Sequence, residues 1–199
     1  MSTISPIATV DIAKRVAEKE AHWLDAPVSG GEIGAVEAKL SIMVGGESSA
    51  LDAVRELLEK LGRTITYCGP SGSGQKTKLV NQIMVVHTVM SMAEGLAFAE
   101  KAGLDLQTTL NATQAGAAGS HSLKILGAKV IEGDFKPSFK IDLQQKDLRL
   151  VLKMADAIKQ PLPGTALIRQ LFTSLQAQNR GHDGTQALFD AIRQLGSPK

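Results

Sequence analysis

The chain has 199 residues, of which 43% are hydrophobic, enough to bury a core in one large domain or two small ones. Its 22 lysines and arginines nearly balance 20 acidic residues, and no basic run or basic-aromatic alternation predicts a nucleic-acid groove. Cys68 is the single cysteine, so no internal disulfide can form, and the four histidines are too widely spaced for a metal motif. We therefore expect a cytoplasmic protein that binds neither nucleic acid nor a metal ion.

The first predicted element is a helix over residues 5–20. Ser5 is a good N-cap, Pro6 suits the first turn, and apolar side chains recur at helical spacing after them. The charged side chains of this amphipathic helix exclude a signal peptide. No stretch approaches the 18 apolar residues of a membrane span, so no contact with a membrane is expected.

Up to residue 70, short β-branched or apolar runs alternate with helical spacing. The predicted strands cover residues 23–28, 40–46 and 64–68, with a helix over residues 49–61. Cys68 closes the last strand and is interpreted as a small core residue. This alternation predicts part of an α/β sheet over residues 1–70.

Residues 71–199 carry long helical patterns and predict an all-helical domain. The predicted helices cover residues 75–102, 105–115, 120–132, 141–160, 164–178 and 186–195. The first is unusually long and apolar on more than one side, as expected of a central buried helix. Gly95 within it should cost about 1 kcal/mol relative to alanine, which suggests that a neighbour packs closely there.

A glycine-rich turn, Ser29-Gly30-Gly31, follows the first predicted strand. Without large side chains to shield its backbone N–H groups, such a turn can bind a carboxylate or a phosphate. The alternative is structural, because glycines also let a chain reverse direction.

The turn Gly72-Ser73-Gly74-Gln75 precedes the long helix, with Lys78 one turn in. Asn81 and Gln82 lie three and four residues further on, on roughly the same face. Removing a lysine from solvent disfavours its charged form, so such a lysine can exchange protons near neutrality. Alternatively, Lys78 extends its amine to solvent while its stem packs. Lys76 is interpreted as an ordinary surface residue.

Two further groups favour a structural interpretation from the residues alone. Lys146 and Asp147 are most simply part of a solvated charged helix face. The histidines are more simply core or surface groups than catalysts. They are His22, His87, His121 and His182.

Three motifs occur in one order along the chain. They are Asp25-Ala26-Pro27-Val28-Ser29-Gly30-Gly31 with Gly34-Ala35, then Gly72-Ser73-Gly74-Gln75-x-x-Lys78-x-x-Asn81-Gln82, then Phe139-x-x-x-Leu143-x-x-Lys146-Asp147-Leu148. This ordered set resembles the β-hydroxyacid dehydrogenase family, which includes 3-hydroxyisobutyrate dehydrogenase and tartronate semialdehyde (2-hydroxy-3-oxopropionate) reductase. The resemblance covers nearly the whole chain and leans towards the tartronate semialdehyde reductase branch.

The resemblance implies a fold and a function. The fold would be the C-terminal half of a Rossmann domain over residues 1–70, followed by an all-α domain like that of 6-phosphogluconate dehydrogenase over residues 71–199. The function would be NAD- or NADP-dependent interconversion of a small β-hydroxy acid and its semialdehyde. A homo-oligomer, a dimer or a tetramer, is expected.

The resemblance also implies roles for single residues. Lys78 would be the catalytic acid/base. Ser29, Gly30, Gly31, Asn81 and Gln82 would bind or orient the substrate. Thr3 and Lys146 would contact the cofactor.

The sequence departs from the family pattern in two places. Family members begin with a strand, G-x-G-x-x-G and a helix that bind the pyrophosphate, but Gly72-Ser73-Gly74 continues here without the third glycine. Cofactor binding is therefore an open question, and the alternative function is a non-catalytic dimerisation module derived from the family. Near the end, Gly184 stands where many relatives have an acidic residue.

Overall fold

The structure is a computed structural model that describes residues 1–196, so the last three residues of the predicted second domain lie outside it. The chain forms two compact units. The first unit comprises Met1–Gln82 and Lys153–Gln160, and the second comprises Ile83–Leu152 and the residues from Pro161 onward. Two of the boundaries between the units, after Gln82 and after Leu152, fall within helices, and the third, after Gln160, falls in the connection between two helices.

The first unit contains the predicted mixture of helices and strands. Its elements are α1 (Pro6–Ala17), β1 (Val28–Ser29), α2 (Gly31–Val36), β2 (Leu40–Gly45), α3 (Ser48–Glu59), β3 (Gly62–Gly69) and the start of α4 (Ser73–Lys101). As predicted, Ser5 caps α1, because its hydroxyl accepts a hydrogen bond from the backbone N–H of Ala8 at 3.4 Å. Helix α2 was not predicted from the sequence.

The sheet of the first unit has the order β1-β2-β3, with β1 antiparallel and β3 parallel to β2. The first strand is shorter than predicted, and Pro27 explains why. The carbonyl of Pro27 accepts from the N–H of Met43 at 3.0 Å, but proline has no N–H to return, so the ladder is interrupted. Towards the N-terminus, pairing continues only as an isolated bridge between Asp25 and Gly45.

The core of the first unit lies between the sheet and α3. Ile42 and Val44 of β2 are fully buried, and they pack with Leu51 and Leu58 of α3. Cys68 is half-buried on β3 and lies outside this core cluster, so its interpretation as a core residue is wrong.

The second unit is helical, and no strand occurs between residues 83 and 196. Besides the rest of α4, the structure has α5 (Leu106–Thr113), a π-helical turn (Ser122–Leu126), α6 (Gly127–Ile131), α7 (Ile141–Ile158), α8 (Pro163–Ala177), a 3₁₀ turn (Thr185–Ala187) and α9 (Leu188–Leu195). The core of this unit includes the fully buried Leu148, Phe172 and Leu188. The all-helical prediction is confirmed.

Helix α4 is 29 residues long and differs in two respects from what the sequence predicted. By length and composition it is apolar enough to cross a membrane, with a mean hydropathy of 1.3 over its most apolar 18 residues, although we predicted no such stretch. This is weak evidence for a span, since core helices pass the same test and 44% of that window is buried inside the protein. Gly95 is exposed, and a Cβ there would meet nothing within 4 Å, so no neighbour packs closely against it.

Candidate functional site

The buried carboxylate of Asp25 holds the start of α4. Its Oδ1 accepts from the backbone N–H of Gly72 and its Oδ2 from that of Gln75, both at 2.8 Å, and Asp25 is only 3% exposed. A negative charge at this end also complements the helix dipole. These N–H groups are therefore already bonded, and the Gly72–Gly74 turn does not offer them to a phosphate.

Glycines are required where this turn passes the sheet. A Cβ on Gly74 would overlap the carbonyl oxygen of Met43, and a Cβ on Gly45 would lie 2.7 Å from Asp25 Oδ1. The close approach fixes where α4 starts relative to β2. It thereby places the first turns of α4, which carry the polar side chains predicted to be functional.

Lys78 lies one turn into α4 and is buried, with 7% of its surface exposed. This agrees with the predicted desolvation and leaves little of the side chain in solvent, contrary to the alternative in which the amine extends outward. Lys76 is exposed, as predicted. The Nδ2 of Asn81 donates to Oε1 of the buried Gln82 at 2.8 Å. Lys78, Asn81 and Gln82 thus lie within about one turn of α4, in the first unit.

Gly30 and Gly31 both have a positive φ, of +140° and +65°, which L-residues rarely adopt. A Cβ on Gly30 would also lie 3.1 Å from Leu40 Cδ2. Ser29 precedes them in β1, paired with Ser41 of β2. The turn into α2 thus requires glycine at position 30 and favours it at position 31, which supports the structural interpretation and leaves anion binding as a prediction.

Thr3 is half-buried, and both of its neighbours bond to one side chain. Gln75 Nε2 donates to the carbonyl of Ser2 at 2.9 Å, and Gln75 Oε1 accepts from the N–H of Ile4 at 3.0 Å. Sequence reasoning assigned no role to Gln75 or Asp25. An acidic residue inside an apolar strand was the available signal for Asp25.

Lys146 belongs to the second unit, on α7, whereas all the other predicted site residues belong to the first unit. Its Nζ is 2.7 Å from Asp147 Oδ1. The side chain of Lys146 is 41% exposed but that of Asp147 only 2%, so the interpretation of both as a solvated face is wrong for Asp147. A buried carboxylate thus holds the amine of Lys146.

Arg180 lies at the centre of an ion-pair cluster in the second unit. The guanidinium of Arg180 lies 2.7 Å from Asp183 and 2.9 Å from Asp190 and stacks on Phe135. Burial opposes its charge, but hydrogen bonds and charges of the two carboxylates outweigh burial and raise the pKa of Arg180 above its ordinary value. Gly184, the second departure, packs against the side-chain amide of Gln186, which a Cβ would overlap.

The histidines do not gather at the site. All four are exposed, and His22 pairs with Glu47 at 2.9 Å. Among residues 1–196, no three His, Cys, Asp or Glu side chains form a group that could hold a metal ion.

Comparison with known proteins decides the family. Residues 72–192 match the model for the NAD-binding domain of NADP-dependent 3-hydroxyisobutyrate dehydrogenase, and residues 1–69 match the NAD binding domain of 6-phosphogluconate dehydrogenase. The chain is 43% identical over 199 residues, all of its length and 68% of the relative's, to 2-hydroxy-3-oxopropionate reductase of Escherichia coli. This chain belongs to the β-hydroxyacid dehydrogenase family.

Other members of the β-hydroxyacid dehydrogenase family are also similar to this chain in sequence or in structure. A probable 3-hydroxyisobutyrate dehydrogenase-like protein of Arabidopsis thaliana is 40% identical over 99% of this chain and 59% of its own length. Among solved structures, 3-hydroxyisobutyrate dehydrogenase of Salmonella typhimurium superposes with a TM-score of 0.88 at 27% identity, over 95% of this chain and 67% of that one. The Mycobacterium tuberculosis enzyme, with L-serine, superposes with a TM-score of 0.86 at 29% identity, over 96% and 68%.

The chain thus spans about two thirds, or somewhat less, of the length of these relatives. The family and fold predictions are confirmed: part of a Rossmann-type α/β fold, which matches the 6-phosphogluconate dehydrogenase model, precedes a helical part, which matches the 3-hydroxyisobutyrate dehydrogenase model. The roles of single residues stay predictions.

Proposed function

We propose that this chain carries the catalytic part of an NAD(P)-linked oxidoreductase that interconverts a small β-hydroxy acid and its semialdehyde, with Lys78 as the acid/base. The observation that carries the proposal is the burial of Lys78 beside Asn81 and Gln82 at the start of α4. The 43% identity to a 2-hydroxy-3-oxopropionate reductase supports the choice of substrate class.

Lys78 is suited to move a proton at its Nζ. Its burial keeps bulk water away from Nζ, so a proton exchanged there would pass to or from a bound substrate. In alcohol oxidation, Nζ would accept the hydroxyl proton; in semialdehyde reduction, it would supply that proton to the carbonyl oxygen. A bound nicotinamide supplies the hydride chemistry at the neighbouring carbon.

The other residues of the first unit would bind and orient the substrate. The carboxylate of a small hydroxy acid needs donors that are not already paired with protein groups, and the turn at Ser29, Gly30 and Gly31 supplies a hydroxyl and exposed backbone. Asn81 and Gln82 would orient the reacting oxygen near Lys78, because their amides provide both donors and acceptors.

The residues predicted to contact the cofactor are Thr3 in the first unit and Lys146 in the second. Thr3 offers a hydroxyl at a backbone position fixed by Gln75, and Lys146 keeps 41% of its side chain exposed. The glycine-rich turn before α4 does not fit a pyrophosphate, because Asp25 bonds its N–H groups. We therefore propose Thr3 and Lys146 as cofactor contacts and leave the choice between NAD and NADP to measurement.

Lys78→Ala tests the proposal directly. We expect reduction of tartronate semialdehyde, followed by loss of NADH or NADPH absorbance, to fall about 100-fold or more in kcat/KM, in the range of acid/base contributions. Lys76→Ala is the matched control, because Lys76 is exposed two residues earlier on the same helix and should keep the wild-type rate.

Cofactor binding is measured beside turnover, by calorimetry with each dinucleotide. Equal rates in Lys78→Ala and wild-type protein would remove the lysine from the mechanism. A folded wild-type chain that bound neither dinucleotide and turned over no substrate would contradict the enzyme proposal. Sedimentation would then decide whether the chain acts instead as the non-catalytic dimerisation module, and in either case it reports the size of the proposed homo-oligomer.

A further inference from the structure

Gln75 is a buried polar side chain near the predicted site, with 2% of its surface in solvent, and the proposed mechanism does not use it. Its amide bonds to two backbone groups that are two residues apart, the carbonyl of Ser2 and the N–H of Ile4. A neighbouring β-strand would make the same pair of bonds, one as donor and one as acceptor. Gln75 therefore holds the peptide groups on both sides of Thr3.

Gln75 is itself held at its backbone. Its N–H donates to Asp25 Oδ2 at 2.8 Å, so the residue that bonds to the segment of Thr3 is fixed at the capped start of α4. Lys78 follows three residues later on the same helix. Asp25, Gln75, Lys78 and Thr3 all belong to the first unit.

We propose that Gln75 is a positioning residue for cofactor binding: its side-chain amide sets the backbone on both sides of Thr3, and so sets Thr3 relative to the helix that carries Lys78. This inference rests on the proposed function, because Thr3 must contact the cofactor. Glutamine is specifically suited to the task, because it offers one donor and one acceptor without charge. A glutamate would present an oxygen to the Ser2 carbonyl, and a methionine would make neither bond.

The variants Gln75→Met and Gln75→Glu test this proposal in the full 199-residue chain. We expect the dissociation constant for NADH or NADPH, measured by nicotinamide fluorescence, to rise on the order of tenfold in each, as for other residues that orient a contacting group. KM for the cofactor should rise with it, while kcat at saturating cofactor stays near that of wild type. Amide hydrogen exchange at Thr3 and Ile4 should become faster, which can be measured without cofactor.

A matched control separates positioning from general loss of stability. Gln186 is a buried glutamine whose Nε2 donates to two backbone carbonyls two residues apart, those of Asp134 and Lys136, at 3.0 and 3.1 Å. It lies in the second unit and has no place in the proposed site. Gln186→Met should therefore lower the melting temperature without changing cofactor affinity.

A double-mutant cycle with Thr3→Ala gives the decisive result. If Gln75 acts through Thr3, Gln75→Met should add little further loss of affinity once the hydroxyl of Thr3 is gone. Fully additive losses, or wild-type affinity in Gln75→Met despite faster exchange at Ile4, would overturn the positioning role and leave the proposed function intact. Failure of the wild-type chain to bind either dinucleotide would instead overturn both.

Discussion

Asp25 combines burial, charge and two hydrogen bonds in one residue. Its carboxylate is buried and bonds to the N–H groups of Gly72 and Gln75, and among residues 1–196 no lysine, arginine or histidine forms an ion pair with it. The positive end of the α4 dipole is thus its natural partner. This residue anchors the start of the helix on which Lys78, Asn81 and Gln82 lie.

Asp25→Asn should destabilise the fold, because an amide has one acceptor oxygen and would turn its NH₂ towards one of the two backbone donors. We expect a loss of about 2 kcal/mol in the free energy of unfolding, measured by urea titration, which is the usual effect of removing a hydrogen bond to a charged group. Asp52→Asn on α3 is the control, because the side chain of Asp52 is 70% exposed. A change in the control of about 0.5 kcal/mol or less, beside a clear loss at position 25, would support the anchoring role, whereas equal stabilities would contradict it.

The roles of single residues could be predicted where they depend on local pattern and not where they depend on distant contacts. The burial of Lys78 followed from an apolar helix with polar groups at positions i+3 and i+4. The bonds of Asp25 and Gln75 join residues 47 and 71 positions apart, and no local spacing reports them. Asp147 was misjudged for the same reason, since its burial depends on packing around α7.

At the scale of elements, strong periodic patterns predicted most helices and strands to within a few residues. Helix α2 has six residues and too few apolar positions to show a period, and Pro27 shortens β1 by removing a ladder donor. The predicted helix over residues 120–132 divides into a π-helical turn and α6, a difference in hydrogen-bond register that side-chain periodicity does not resolve.

Gly95 gives a prediction at this scale, because no neighbouring group in the structure requires a glycine at this position in α4. Since an added Cβ meets nothing within 4 Å, Gly95→Ala should raise the free energy of unfolding by about 0.5–1 kcal/mol, the difference in helix propensity. Gly127→Ala on α6 is the matched control, because its Cβ would lie 3.2 Å from Leu110 Cδ1, and it should give no such gain. Thermal unfolding of both variants measures the difference. If Gly95→Ala instead lowered the free energy of unfolding, a neighbouring group would have to pack closely against Gly95, as the sequence analysis expected.

At the scale of the whole molecule, residues 1–196 form two hydrophobic cores, and each lies within one compact unit. The smaller core includes Ile42 and belongs to the first unit, while the larger includes Phe172 and belongs to the second. The sequence anticipated an α/β part and a helical part, because periodicity changes from two to 3.6 near residue 70. It could not show that residues 153–160 join the first unit, since nothing in their helical pattern distinguishes them from the rest of α7.

Because the cores are separate, we expect a core substitution in one unit to destabilise mainly the helices and strands of that unit. Ile42→Ala should cost about 2–5 kcal/mol and Phe172→Ala about 3–5 kcal/mol, because both side chains are fully buried. Hydrogen exchange under native conditions should then speed up mainly in β2, β3 and α3 for the first variant, and mainly in α8 and α9 for the second. The exposed Leu57 and Leu167 provide matched controls, one in each unit, and alanine there should leave both patterns unchanged. Uniformly faster exchange across residues 1–196 in both core variants would show instead that the two cores unfold as one cooperative structure.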